Sequence, residues 1–171
     1  RTIYTFDAGA TNKLKPFQWA NLTTAERAYF TGKGVLLHQY SNLGTTEQGI
    51  ANDGEKLVRY LRGQTGNEMS GATGSFRDRD HVLGDTVSAK PAYVRAPRFN
   101  FADSGYASFK SSNAGRQAML YIAANDGMLH AFNAEISGAN MGKELFAYVP
   151  AGVYDYLNTL TDLDYIKSHK Y

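Results

Sequence analysis

Cysteine is absent from this 171-residue chain, which excludes disulfides, zinc–thiolate centres and thiol catalysis within it. Proline is scarce, at four residues, so few backbone nitrogens are barred from a ladder of hydrogen bonds. No apolar run approaches the roughly 20 residues that a membrane-spanning helix needs. An excess of one charge is lacking too: 18 Lys and Arg face 16 Asp and Glu, a net +2. The basic residues read as scattered, with no arginine stripe interleaved with aromatics, so nucleic acid is not an expected partner. The four histidines, His38, His81, His130 and His169, are far apart and have no H-x-x-x-H spacing, so they do not form the converging set that zinc requires. No G-x-S-x-G nucleophile elbow occurs. Gly71-Ala-Thr-Gly74 lacks the Lys and Ser/Thr that complete a phosphate loop. The chain opens at Arg1 with no charged n-region and apolar h-region, so no targeting segment is visible, and both ends look cut from a longer protein.

What is present is turn chemistry and β-formers: 17 Gly and 12 Tyr suit a mainly β protein with many turns. The most informative stretch runs from Tyr121 to Pro150. Asn125-Asp126-Gly127 supplies residues that tolerate positive φ between two apolar runs, which predicts a hairpin. Gly142-Lys143 then opens a third strand, Glu144 to Val149, that folds back beside the second. Three antiparallel strands in that order make most of a β-propeller blade.

Residues Arg1 to Ala8 alternate and read as a strand. They match Gly127 to Ala134 in kind (Ile3 with Leu129, Tyr4 with His130, Phe6 with Phe132), a short internal repeat of the sort propellers show, at a separation that requires an insertion between blades. Leu14 to Trp19 supplies a partner strand. Thr23 or Thr24 caps a short helix through Phe30 that Gly32 ends. Residues 34–49 show no legible period. Asn52-Asp-Gly-Glu55 resembles a capping box, and Leu57, Val58, Tyr60 and Leu61 follow at helical spacing up to Gly63, so a helix buried through Leu57, Val58 and Leu61 is expected over 52–62. Residues 84–94 read as a strand that Pro91 confines to an edge or a bulge. A second insertion follows at 95–117, with a short helix at 104–110. Residues 155–163 read as a loop or one weak helical turn.

The combination of Phe76-Arg-Asp-Arg79, Leu83-Gly-Asp85, Pro91-Ala-Tyr-Val94, the run Leu120 to Phe132 and the run Gly142 to Pro150 resembles the C-terminal domain of the PilC/PilY-type tip-associated adhesins of bacterial type IV pili. The resemblance implies a fragment of a modified β-propeller of the quinoprotein alcohol dehydrogenase-like type, mainly β with helical insertions and about one to two blades. On that reading residues 1–171 belong to one propeller domain. Blade strands lie at 1–19, a helical insertion and loop at 20–83, one blade at 84–150 with its insertion at 95–117, and the start of the next segment at 151–171. The resemblance further implies export to the cell surface, pilus tip or outer membrane of a Gram-negative bacterium. It implies non-enzymatic roles in pilus assembly, twitching motility and attachment, with pilins or minor pilins and host or abiotic surfaces as partners. The Arg-Gly-Asp motif of some members is not reproduced, because Arg62-Gly63 is followed by Gln64. No calcium loop of D-x-D-x-D type occurs here either, and the family's own loop would fall beyond residue 171.

Three local features carry alternative chemistry. Asp78, Asp80 and Asp85 could offer carboxylates to a hard cation, but Arg77 and Arg79 interleave with them and a salt-bridged turn is the simpler expectation. The quinoprotein docking motif A-x-D-x-x-T-G-x-x-x-W corresponds here to Ala131-Phe-Asn133 and Gly142-Lys-Glu-Leu-Phe146, with Asn for Asp, Phe for Trp and a longer turn. Those departures and the missing Cys pair speak against a periplasmic quinoprotein dehydrogenase, so no catalytic residue, metal ligand or cofactor is expected in this segment. A purely architectural propeller module remains the other alternative. Most aromatics are expected in the core, because one face of each strand must be buried. Phe99, Phe101, Tyr106 and Phe109 lie instead in an insertion, where functional surfaces concentrate, and form the candidate contact site. Leu129 is expected as a buried strand residue, and His130 as a hydrogen-bonded core or rim histidine.

Overall fold

The computed structural model describes residues 1–71 and 73–167. Its strands are β1 (Ile3–Phe6), β2 (Leu14–Pro16), β3 (Ala92–Val94), β4 (Met119–Ala123), β5 (Leu129–Asn133) and β6 (Glu144–Val149). They form one six-stranded sheet in the order β2-β1-β6-β5-β4-β3. The last four strands are an antiparallel meander in chain order, while β1 joins β6 in parallel. Residues 1–19 and 84–150 thus feed the same sheet, whereas the repeat had suggested two similar units. Ile3 sits opposite Ala147 and so does His130, whereas Tyr4 sits opposite Tyr148 and so does Leu129. The repeat therefore pairs residues of opposite faces (Ile3 with Leu129, Tyr4 with His130), and it has no counterpart in the packing.

The hairpin turn forms as its residues dictate. Gly127 adopts φ +80°, and the Ala124 amide donates to the Met128 carbonyl at 3.0 Å. The strand expected over 84–94 forms only at Ala92–Val94, an edge strand directly after Pro91. A ladder partner exists only along β4, and Pro91 has no N–H to extend it.

Helices cover one face. Thr23 caps α1 (Thr24–Ala28) in a reciprocal box with Glu26, and Gly32 beyond it adopts φ +72°. Residues 34–49, without a legible period, contain two 3-10 turns and most of α2 (Thr45–Asn52). The helix expected from 52 starts later: α3 spans Gly54–Leu61, and Asp53 in extended conformation caps it by accepting from the Glu55 and Lys56 amides. Asp53 forms this cap more readily than it continues a helix, which separates α2 from α3. Leu57, Val58 and Leu61 are buried as expected, each contributing about 1.5–3 kcal/mol. Residues 155–163, expected as a loop or one weak helical turn, fall mostly within a long 3-10 helix over Ala151–Thr161 that buries Tyr154, Leu157 and Leu160.

The core lies between this layer and the sheet face bearing Ile3, Thr5, Ala147 and Val149. Tyr154 is its hub. Its ring lies 5.8 Å from Phe17 and 5.1 Å from Phe30, and its hydroxyl meets Thr5 Oγ, which donates to the Val149 carbonyl. The other face carries Tyr4, Tyr121, Phe146 and Tyr148, half-buried, with Phe6 and Leu129 exposed. Leu129 was expected in the core. It is 38% exposed, because the core face is the one His130 shares with Ala147 and Ile3.

The hairpin turn is clipped from outside by Gly84 and Asp85. The Asn125 amide donates to the Asp85 carbonyl at 2.8 Å, and the Gly84 amide donates to Asp126 Oδ2 at 3.2 Å. A Cβ on Gly84 would collide with the Asp126 backbone nitrogen, which is held by the turn and cannot yield. Gly84→Ala is therefore expected to lower unfolding free energy by about 1–3 kcal/mol, measured by urea denaturation.

Candidate functional site

Two regions concentrate chemistry. The first is a charged cluster on the core face of the sheet. His130 is 0% exposed. Its Nε2 lies 3.0 Å from Asp126 Oδ1 and its Nδ1 2.7 Å from Glu144 Oε1. Asp126 belongs to the hairpin turn and Glu144 opens β6, so the turn and the pairing of β5 with β6 bring them onto one ring. Arg1 completes the cluster, donating from Nε and Nη2 to the two oxygens of Glu144 at 2.8 Å each. Burial disfavours charge on His130, but hydrogen bonds to Asp126 and Glu144, and their charges, outweigh it and lift the imidazole to about 9. Burial likewise opposes ionisation of Glu144, yet the His130 and Arg1 hydrogen bonds and charges bring it down to about 2. His130 is therefore an imidazolium at neutral pH, donating from both nitrogens. A cation with both donors engaged has no lone pair for a metal and no free proton acceptor for catalysis. This cluster is a clamp.

The other expected positions do not converge. His38 sits 2.9 Å from Asp162 Oδ2, which raises its pKa through that hydrogen bond. His81 lies on the surface, and His169 is outside the described residues. Asp78 accepts from the amide and hydroxyl of Ser70. Arg79 does not bridge the neighbouring aspartates as expected. It forms a buried pair with Glu68 at 2.7 Å and stacks 3.6 Å over the Tyr60 ring. Among the described residues no three His, Cys, Asp or Glu side chains come together as metal ligands do. Asn133 turns its Oδ1 to the Glu135 amide at 2.8 Å, and Phe146 meets Tyr4 and Tyr121 edge-on, so both altered docking-motif positions are engaged within the sheet.

The second region is the arm at residues 95–117. Between residues 80 and 117 no residue is buried. Val94 and Met119 are direct partners across β3 and β4, so the arm is an excursion from the end of one hairpin. The aromatics expected to form a contact site do come together. Phe99 lies 6.0 Å from Phe101, Phe101 4.9 Å from Tyr106, and Tyr106 5.7 Å from Phe109, on and beside helix α4 (Tyr106–Ser112). Phe99 is 72% exposed and Phe101 56%. Basic residues that read as scattered meet rings here: Arg116 lies over Phe109 and, at the base of the arm, Arg95 lies over Tyr93 of β3, each at 5.6 Å. The signal for this was local charge, since 86–117 holds five Lys and Arg against one Asp, hidden by the near-neutral total.

Two grooves flank the 3-10 helix. One of about 500 Å³ is lined by Leu36, Val153, Tyr156 and Leu157 with Asn125. Its neighbour, about 410 Å³, runs past Tyr60, Arg77 and His81. Neither was legible in the sequence, because their walls come from distant segments.

Comparison with known proteins gives relatives over nearly the whole chain. A type IV pilus biogenesis factor PilY1 homolog of Xylella fastidiosa (strain Temecula1) is 35% identical over 94% of this chain and 13% of its own length. The type IV pilus biogenesis factor PilY1 of Pseudomonas aeruginosa (strain UCBPP-PA14) is 34% identical over 96% of this chain and 13% of its own. The protein of the same name from Pseudomonas aeruginosa (strain PAK) is 29% identical over 91% of this chain and 12% of its own. The chain thus spans about one-eighth of the length of the curated relatives it matches. No family model matches it, and no solved structure does.

The clamp has a pH signature. A histidine raised from 6.5 to about 9 on folding contributes stability in full below pH 6.5, and that contribution is lost as pH rises through 9. A carboxyl lowered from 4.5 to about 2 contributes above pH 4.5, and that is lost as pH falls through 2. Stability measured by denaturant against pH is expected to peak between these windows. His130→Ala, which leaves Asp126 without its cation and Glu144 with Arg1 alone, is expected to cost about 3–5 kcal/mol and to flatten the alkaline limb.

Proposed function

This chain is a PilY1-type segment, homologous to one stretch of the type IV pilus biogenesis factors, and on that premise we propose that it serves as a non-catalytic scaffold within a propeller. The observation that carries the reading is the sheet's second face. A meander β3-β4-β5-β6 in chain order is the strand plan of a propeller blade, and a blade is covered on both faces. Here helices cover one face, while the other presents Tyr4, Phe6, Tyr121, Leu129, Phe146 and Tyr148. Apolar rings on a sheet face gain stability when a neighbouring layer removes them from water. In the full-length protein a neighbouring blade of quinoprotein-like type supplies that layer. The scaffold then holds out the 95–117 arm as a contact surface for pilins, minor pilins or a host or abiotic surface, at the cell surface or pilus tip. Support for a non-catalytic role comes from the His130 clamp and from Asn133, whose Oδ1 accepts the Glu135 amide.

The test separates scaffold from arm in the full-length protein of its own bacterium. Val149→Asp places a carboxylate at a 0% exposed core position, costs several kcal/mol, and is expected to reduce surface pili and twitching motility. Phe99→Ser with Phe101→Ser removes only exposed rings, and is expected to keep pilus number while lowering attachment. Normal piliation with the Val149→Asp protein shown to be unfolded would remove the scaffold reading.

A further inference from the structure

Residues 86–117 carry five basic side chains (Lys90, Arg95, Arg98, Lys110, Arg116) against the single acid Asp103, a net +4 within a chain of net +2. Among the described residues none of these five is in a salt bridge. Elsewhere five described Lys and Arg do pair with a carboxylate: Arg1 with Glu144, Lys15 with Glu26, Arg59 with Glu55, Arg79 with Glu68 and Lys167 with Asp164. What sets the arm apart is that its five cations face one acid and sit among exposed rings. Charge and aromatic surface coincide. Lys110 Nζ is fixed against Asn100 Oδ1 at 2.6 Å and the Arg98 carbonyl at 3.3 Å, so it holds the loop bearing Phe99 and Phe101. Arg116 lies over Phe109 and is hydrogen-bonded to Asn113. The outcome is an apolar ridge flanked by cations that no carboxylate among the described residues pairs with.

From this we propose that the arm is a docking site for an acidic protein segment that also carries apolar side chains. Complementary charge sets the approach and the desolvated rings supply the anchor. Two observations favour a protein over a nucleic acid. Single strands bind by laying bases on free ring faces, but Tyr93 and Phe109 already carry guanidinium groups, and Phe101 meets Tyr106 edge to face at 81°. Strand addition is also disfavoured as the mode, because β3 is three residues long and flanked by Lys90, Pro91, Arg95 and Pro97, devices that blunt an edge. Recognition is by side chains. The inference rests on the arm being the contact surface of the proposed function, and it can fail alone, because the scaffold role is read from piliation and this one from binding in solution.

The experiment uses the 171-residue chain and a short fluorescein-labelled peptide of alternating Glu and Phe, read by anisotropy. The expected result is saturable binding that weakens about tenfold or more when Gln replaces Glu in the peptide, and about tenfold in Arg98→Glu/Arg116→Glu. Phe99→Ser/Phe101→Ser is expected to weaken it about fivefold or more. All these positions bear on the arm's exposed side, and circular dichroism of each variant should match the parent chain. Absence of binding, equal binding by both variants and the parent, or tighter binding of an oligothymidine than of the acidic peptide would each overturn the proposal.

Discussion

The structure depends on one buried cation. His130 lies inside the sheet with a carboxylate on each ring nitrogen, and an unpaired charge there would not be tolerated. The ring is held charged by groups that belong to different elements: Asp126 in the hairpin turn and Glu144 at the start of β6. Arg1 extends the contact to the chain's first residue. The Arg1 carbonyl accepts from Arg62, which also reaches the Phe17 carbonyl, so the helical layer is tied to the same point. The turn in its own right accepts the Gly84 amide. One imidazolium thereby fixes which face of β5 is inside, how β6 lies on it, and where the loop before β3 begins its excursion.

With that face fixed, the division of labour along the chain follows. The inner face is covered by helices around the Tyr154 hub. The outer face keeps half-buried rings, as a layer between layers would. The arm leaves the sheet between two residues that are direct partners, Val94 and Met119, and buries nothing of its own. Its aromatics and cations therefore contribute little to the fold's stability and are free to be shaped by what they contact.

Legibility in the sequence tracked the range of the interactions involved. The Asn125-Asp126-Gly127 turn, strand β6, the Thr23 cap and the buried stripe of α3 were readable, because each is decided by residues within a few positions. The face of β5 was not: Leu129 outranks His130 in hydrophobicity, and only the distant Glu144 and Arg1 make the histidine the inner residue. For the same reason the arginines near Asp78 were expected to bridge it, while Arg79 found Glu68 through the fold. Residues 34–49 escaped because short 3-10 turns and a glycine-interrupted helix show no lasting period. The contact arm was half legible. Its rings were visible as a cluster, but a near-neutral total charge concealed the cations beside them.

The central claim is that the sheet carries an arm it does not need for folding. Because Arg95 follows Val94 and Ala118 precedes Met119, next to a directly paired couple, residues 96–117 can be replaced by Asn-Gly, which closes a two-residue hairpin. The most direct measurement is the thermal unfolding of this shortened chain beside the intact one. The account predicts a cooperative transition with Tm unchanged within about 2–4 °C, the shift that roughly 1 kcal/mol produces in a domain of this size. A non-cooperative melt, or a fall in Tm well beyond that range, would show that the arm is part of the core and contradict the account.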